Sequence, residues 1–133
     1  MIKNTLIILT VLSSIGNLSG QSKSITAIEF VEILDDQKEE AIFYYQHNWK
    51  VLRERAKEHG FVESFQLIEI PYSSELPAHL LLITHFRNSE QYDQVEKNFK
   101  VLLEEHGEMR LLNTKQPAVF RKNVMYRVSK TQY

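Results

Sequence analysis

The sequence predicts one small α+β domain of order β-α-β-β-α-β, and three features predict it. The hydrophobic period alternates along the chain between two residues and three to four. Beyond residue 20 the only glycines, Gly60 and Gly107, each follow a Glu-His pair where a helical pattern stops. Two seven-residue stretches fifty residues apart, NWKVLRE at 48–54 and NFKVLLE at 98–104, agree at five positions, as two helices packed alike on one sheet would.

The chain opens with MIKNTLIILTVLSSIGNLSG: a lysine, an apolar run from Leu6 to Ile15, then small and polar residues. The run is shorter than the ~20 apolar residues of a membrane span, and its order is that of a signal peptide. Residues 1–20 are therefore expected to be removed on export to the periplasm or the medium, leaving a single domain over 21–133 with no membrane association. There is no cysteine in the chain, which excludes disulfides, thiolate metal sites and a lipid-anchored cysteine. Net charge is −1, with Lys and Arg dispersed among Asp and Glu, so no basic footprint for nucleic acid is visible.

SITAIEFVEIL, residues 24–34, is rich in β-branched and aromatic residues and reads as the first strand. Asp36 and Glu39 have capping-box spacing and are expected to open a helix on which Ile42, Tyr45, Trp49, Leu52 and Ala56 share a face. Gly60 should stop it in a Schellman turn, with Phe61 packing back on Ala56. VESFQLIEI and HLLLITHF, joined by PYSSELPA, read as an antiparallel hairpin. Asn88 or Ser89 should cap a second helix with Tyr92, Val95, Phe99, Leu102 and His106 on its inner face, closed by Gly107. After a loop carrying Pro117, FRKNVMYRV reads as the last strand.

This order is the split βαβ or ferredoxin-like layout, with both helices on one face of a four-stranded antiparallel sheet. If Ile70 pairs with His79, then Phe65, Leu67, Glu69, Leu80, Leu82, Thr84 and Phe86 face the helices. The opposite face, with Ile68, Ile70, Leu81 and Ile83 among its residues, is too apolar to leave in water. A homodimer packed sheet to sheet would cover it.

With an aromatic-rich first helix ending in EHG, ESFQLIE as second strand and an apolar third strand, the chain resembles the dimeric α/β-barrel superfamily. That superfamily includes the antibiotic-biosynthesis monooxygenases and the EthD-like, NIPSNAP-like and haem-degrading proteins. The resemblance rests on layout. It implies a homodimer and a small-molecule cleft between sheet and helices, but no single activity. Haem-degrading members carry an Asn on strand one and a Trp on strand three; this chain has neither.

Motifs for chemistry are sparse. His47 and His59 would lie about 18 Å apart along one helix, and His79 and His85 roughly 20 Å apart along one strand, so neither pair holds one metal ion. No HExxH, GxSxG or phosphate-binding glycine loop is present, and no cofactor is called for. Glu29, Glu32 and Glu69 are candidates for a carboxylate cluster of general-base type. His59 and His106 suit helix C-termini, and His106 also continues an inner face.

The candidate cleft is Tyr45, Trp49, Thr84, Tyr92, Phe99 and His106, suited to a small apolar or aromatic ligand. The alternative is a cofactor-independent enzyme of monooxygenase or isomerase type using the same cleft. In YYQHNWK, residues 44–50, a regular helix turns Tyr45 and Trp49 inward and leaves Asn48 on the flank. Phe43, Tyr44, His47 and Val51 then form an outer stripe, expected to meet a partner chain, the C-terminal tail or another dimer.

Overall fold

A computed structural model describes residues 23–132; the expected signal peptide lies outside the described residues. β1 is Ile25–Ile33, α1 Lys38–Tyr44, α2 Lys50–Glu58, β2 Ser64–Glu69 and β3 Leu80–Phe86. Then follow α3, Ser89–Asp93, α4, Val95–His106, α5, Pro117–Phe120, and β4, Arg121–Lys130. The four strands form one antiparallel sheet in the order β2-β3-β1-β4. The chain is thus α+β, in an arrangement compatible with the ferredoxin-like layout. No helix among the described residues is long and apolar enough to cross a membrane.

Strand register decides which side chains meet the helices. Glu69 pairs with Leu80, and the Ile70 amide donates to the His79 carbonyl (2.8 Å), the register that the hairpin pattern predicts. Leu80, Leu82, Thr84 and Phe86 are all buried, whereas Leu81, Ile83 and His85 on the opposite face are half-buried. β1 lies between β3 and β4, with Ile25, Ala27, Val31 and Ile33 buried on the helix side. Glu29 shares that side, since it pairs with Leu82.

The first helical run starts later than its capping pattern suggests. Asp35 and Asp36 have φ of 50° and 55°, and the Gln37 amide donates to the Leu34 carbonyl (3.0 Å). This is a tight turn with two left-handed residues, a conformation that Asp tolerates better than most residues. The helix begins at Lys38 with no side-chain cap, so the predicted Asp36–Glu39 capping box does not form. The run stops as predicted. The Phe61 amide donates to the Ala56 carbonyl (2.8 Å), the Gly60 amide to that of Lys57 (3.1 Å), and Gly60 has φ 72°, which together make a Schellman motif.

The second helix is broken at Gln94 into α3 and α4, and Asn88 caps its start by accepting from the Gln91 amide at 2.9 Å. Leu52 of α2 and Leu102 of α4, equivalent positions of the repeat, are 7% and 1% exposed and join one core cluster with Ile25, Ala27, Val62 and Phe86. A second cluster gathers Val31, Ile33, Tyr45, Trp49, Leu80, Leu82 and Phe120. Phe120, read from sequence as the start of the last strand, instead ends the one-turn α5, which Pro117 opens at its first position. It covers the helical run from the side, its ring edge-on to Tyr44 at 5.8 Å. The outer stripe is therefore divided: Tyr44 lies under the C-terminal segment, while Phe43 and His47 stack on each other at 3.8 Å.

Candidate functional site

Two local irregularities build the site. Between α1 and α2 the residues Tyr45–Trp49 form a π-turn inside a continuous helical run. Such a turn accommodates an extra residue, a device often found at functional positions. Here it brings Asn48 and Trp49 inward together, at 6% and 8% exposure; the regular wheel that left Asn48 on the flank fails for this reason. The other irregularity is a bulge in β4. Phe30 pairs with Met125 but Val31 with Asn123, leaving Val124 as the extra residue. Arg121, Asn123 and Tyr126 consequently all share the helix side of the sheet.

Between these irregularities lies a cavity of about 370 Å³. Glu29 contributes from β1, and the helical run supplies Tyr44, Tyr45, Asn48, Trp49 and Leu52. Leu103, His106, Gly107 and Met109 close it from α4 and the following loop, opposite Arg121 and Asn123 of β4. The mixture of apolar wall and few polar groups is that of a small-molecule pocket, near the lower end of the usual size range.

Asn48 organises the mouth. Its Nδ2 donates to the carbonyls of Tyr44 and Arg110, both at 2.8 Å. Its Oδ1 accepts from the Arg110 amide at 2.8 Å and from His106 Nε2 at 3.0 Å. Because an amide must donate and the carbonyls must accept, the orientation of the Asn48 carboxamide is fixed. His106 Nε2 therefore carries a hydrogen, and in the neutral ring Nδ1 carries a lone pair. Burial, then the Arg110 and Arg55 charges, pull the His106 pKa below its usual value, which favours that neutral ring. Capping of α4 does not account for His106; His59, which likewise precedes the glycine that ends its helix, stays exposed and stacks on Phe61.

Glu29 forms the floor. Burial raises its pKa above the usual carboxylate value, against the opposing pull of Arg53, of Arg121 and of the Trp49 indole N–H. The indole nevertheless makes no hydrogen bond of normal geometry. Arg53 Nη2 lies 3.8 Å from the Glu29 carboxylate and its Nε donates to Thr84 Oγ1 at 3.0 Å. The guanidinium centre is 4.9 Å from the Trp49 ring and 4.3 Å from that of Phe99, so cation–π contact complements the ion pair. Burial pushes the Arg53 pKa down to about 10. Tyr45, also desolvated, is harder to ionise than a free tyrosine.

Of the six cleft residues expected from sequence, Tyr45, Trp49 and His106 line this cavity together. Thr84 and Phe99 do not line it and instead contact Arg53, while Tyr92 packs edge-on to Phe86 (5.2 Å) with its hydroxyl 3.4 Å from that of Tyr126. The three candidate carboxylates do not converge. Glu32 sits opposite Lys122 on the other sheet face, 3.3 Å from its Nζ, and Glu69 is exposed beside Lys38. Sequence reasoning missed Asn48, Arg53, Arg121 and Asn123 as site residues. Asn48 left a trace as an Asn-aromatic pair repeated at Asn98, and Arg53 as a cation where the repeat has Leu103.

Three buried side-chain polar atoms among the described residues lack a hydrogen-bond partner: Trp49 Nε1, His106 Nδ1 and Arg121 Nε. All three belong to residues that line the one cavity. No group of three His, Asp or Glu side chains among the described residues is arranged to hold a metal ion. The chain matches no protein-family model, and no curated protein or solved structure is significantly similar to it.

Proposed function

We propose that this chain is an exported homodimer whose protomers each bind one small aromatic molecule between sheet and helices. The observation that carries the binding reading is that all three unpartnered buried side-chain polar atoms among the described residues belong to residues lining the 370 Å³ cavity. Leaving a buried donor or acceptor unsatisfied costs about 1–3 kcal/mol, so native proteins keep few of them, and a shared location calls for a shared partner. Tyr45, Trp49 and Leu52 supply the apolar wall on which a ring would lie.

The dimer reading is supported by the open sheet face. Ile28 and Phe30 of β1, Ile68 of β2 and Leu81 and Ile83 of β3 lie together there, across the two central strands and one edge. Thr26 and His85 (2.9 Å) and the Glu32–Lys122 pair form its polar margin. An apolar centre with a polar rim is the anatomy of an interface between folded subunits.

A second reading, a cofactor-independent isomerase- or monooxygenase-type enzyme, is favoured by one feature: a histidine with its tautomer held by Asn48 and its free nitrogen unpartnered. Such a group is suited to general-base work.

Binding is tested by thermal shift and native mass spectrometry across a panel of small aromatic acids, phenols, amines and hydrocarbons. A stoichiometric adduct with a raised melting temperature is expected for at least one class. No adduct and no shift with any class would overturn the binding reading. For the dimer, Ile83→Glu places a charge at the centre of the face and should halve the mass seen by sedimentation; an unchanged mass would refute sheet-to-sheet association.

A further inference from the structure

We infer that the cavity takes a small phenol or enol and binds it as its anion, the proton passing to His106 Nδ1 and the oxyanion accepting from Trp49 Nε1 and Arg121 Nε. This rests on the small-molecule reading above and names its ligand class.

The three unpartnered atoms differ in kind. Indole Nε1 and guanidinium Nε can only donate. His106 Nδ1 is the acceptor among them, because Asn48 Oδ1, already committed to the Arg110 amide, obliges the other ring nitrogen to donate. Two donors and one acceptor on residues that line one small cavity match an oxygen acid: the donors take the oxygen's lone pairs and the acceptor takes its hydrogen. A hydrocarbon would leave all three atoms unsatisfied, and an amine would meet two donors with one lone pair.

The charges point the same way. Glu29, Arg53 and Arg121 are the charged groups of the cavity and its floor, two cations against one anion, and Arg53 is already held by Glu29 and Thr84. Arg121 reaches no carboxylate within ion-pair distance among the described residues; its guanidinium lies 5.3 Å from the Tyr44 ring. A ligand anion would complete its pairing. The transfer is balanced: the ligand O–H bond breaks, an N–H bond forms at Nδ1, and the imidazolium remains tied to Asn48 through Nε2. Burial, then Arg110 and Arg55, oppose protonation of His106 on their own; a bound oxyanion beside the ring favours it. Charge-assisted hydrogen bonds to the oxyanion are stronger than neutral ones to a phenol, so the ionised form is bound more tightly.

Trp49 is the only tryptophan in the chain, so its emission reports the cavity directly. The test is a titration of the full mature protein with para-nitrophenol, at a pH below the dye's own ionisation, following both Trp49 emission and the nitrophenolate absorption band. The expected result is saturable quenching together with a nitrophenolate-to-nitrophenol ratio at least about tenfold above that of free dye, the equivalent of one pKa unit. His106→Gln should still bind the dye but lower the ratio toward that of free dye, since Trp49 and Arg121 remain while the proton acceptor is lost. Trp49→Phe, which keeps a ring and removes the donor, should lower the ratio as read from dye absorbance alone. Dye bound in its neutral form by the wild-type protein would overturn the inference while leaving the small-molecule reading intact. So would failure of the dye to bind when another class in the panel shifts the melting temperature.

Discussion

Replacing Asn48 with Ala tests whether the π-turn exists to seat this carboxamide. Three of its four hydrogen bonds tie the helical run to residues 106–110: one from Nδ2 to the Arg110 carbonyl, and two to Oδ1, from the Arg110 amide and His106 Nε2. Each net bond is worth about 1 kcal/mol. Arg110 is exposed, so water can satisfy part of what is lost, and the expected destabilisation is about 2 kcal/mol rather than the full sum of roughly 3. Urea unfolding followed by Trp49 emission, at one fixed protein concentration because the stability of the proposed dimer would vary with it, should show a midpoint lower by roughly 1 M, given slopes of about 1–3 kcal/mol/M. The internal control is Asn98→Ala. Asn98 occupies the same place in the repeat but is only half-buried and makes no side-chain hydrogen bond among the described residues, so its loss should cost less than about 0.5 kcal/mol. Equal midpoints for the two variants would refute the role given to Asn48.

Leu82→Ala removes a 1%-exposed side chain from the middle of the helix-facing sheet and should cost about 2–5 kcal/mol by the same unfolding assay. Gly60→Ala meets no atom within 4 Å of the new Cβ, yet must hold φ 72°. The cost is then conformational only, about 1–2 kcal/mol, and a neutral result would mean that the Schellman turn rearranges. His106 favours its neutral form when folded, so its stabilising contribution is complete above its unfolded pKa of 6.5 and is lost as pH falls through that value toward the lowered folded pKa. The stability difference between wild type and His106→Gln should therefore shift against the wild type between pH 7 and 5; a pH-independent difference would show that His106 titrates alike in both states.

How much of this molecule was legible beforehand varies with the range of the forces involved. The hairpin register follows from period-two patterning, because a slip of one residue would turn Leu80, Leu82 and Phe86 into water. The Schellman stop follows from Gly60 and its neighbours alone. The Asp36–Glu39 pattern misled because a tight turn from Leu34 to Gln37 uses both aspartates in left-handed conformations before the helix starts. Phe120 misled because aromatic character suits a strand as well as a buried anchor, and Pro117 three residues earlier opens a helical turn instead.

The sequence by itself determined the α+β class, the element order, the inner faces of both helices and the apolar second face of the sheet. These are set by local propensity and hydrophobic period, which every short window carries. Tertiary structure decided the site. Glu29 is polar on a strand whose burial only its partners reveal; Arg121 and Asn123 reach the helix side only through a bulge; Asn48 turns inward only through a π-turn. In the last two cases a residue between regular segments is added or re-aimed, and the phase shift that results is fixed by packing against elements distant in the chain. A periodic reading assumes constant phase, so it finds Tyr45, Trp49 and His106 and overlooks Asn48, Arg121 and Asn123, which complete the polar side of the cavity.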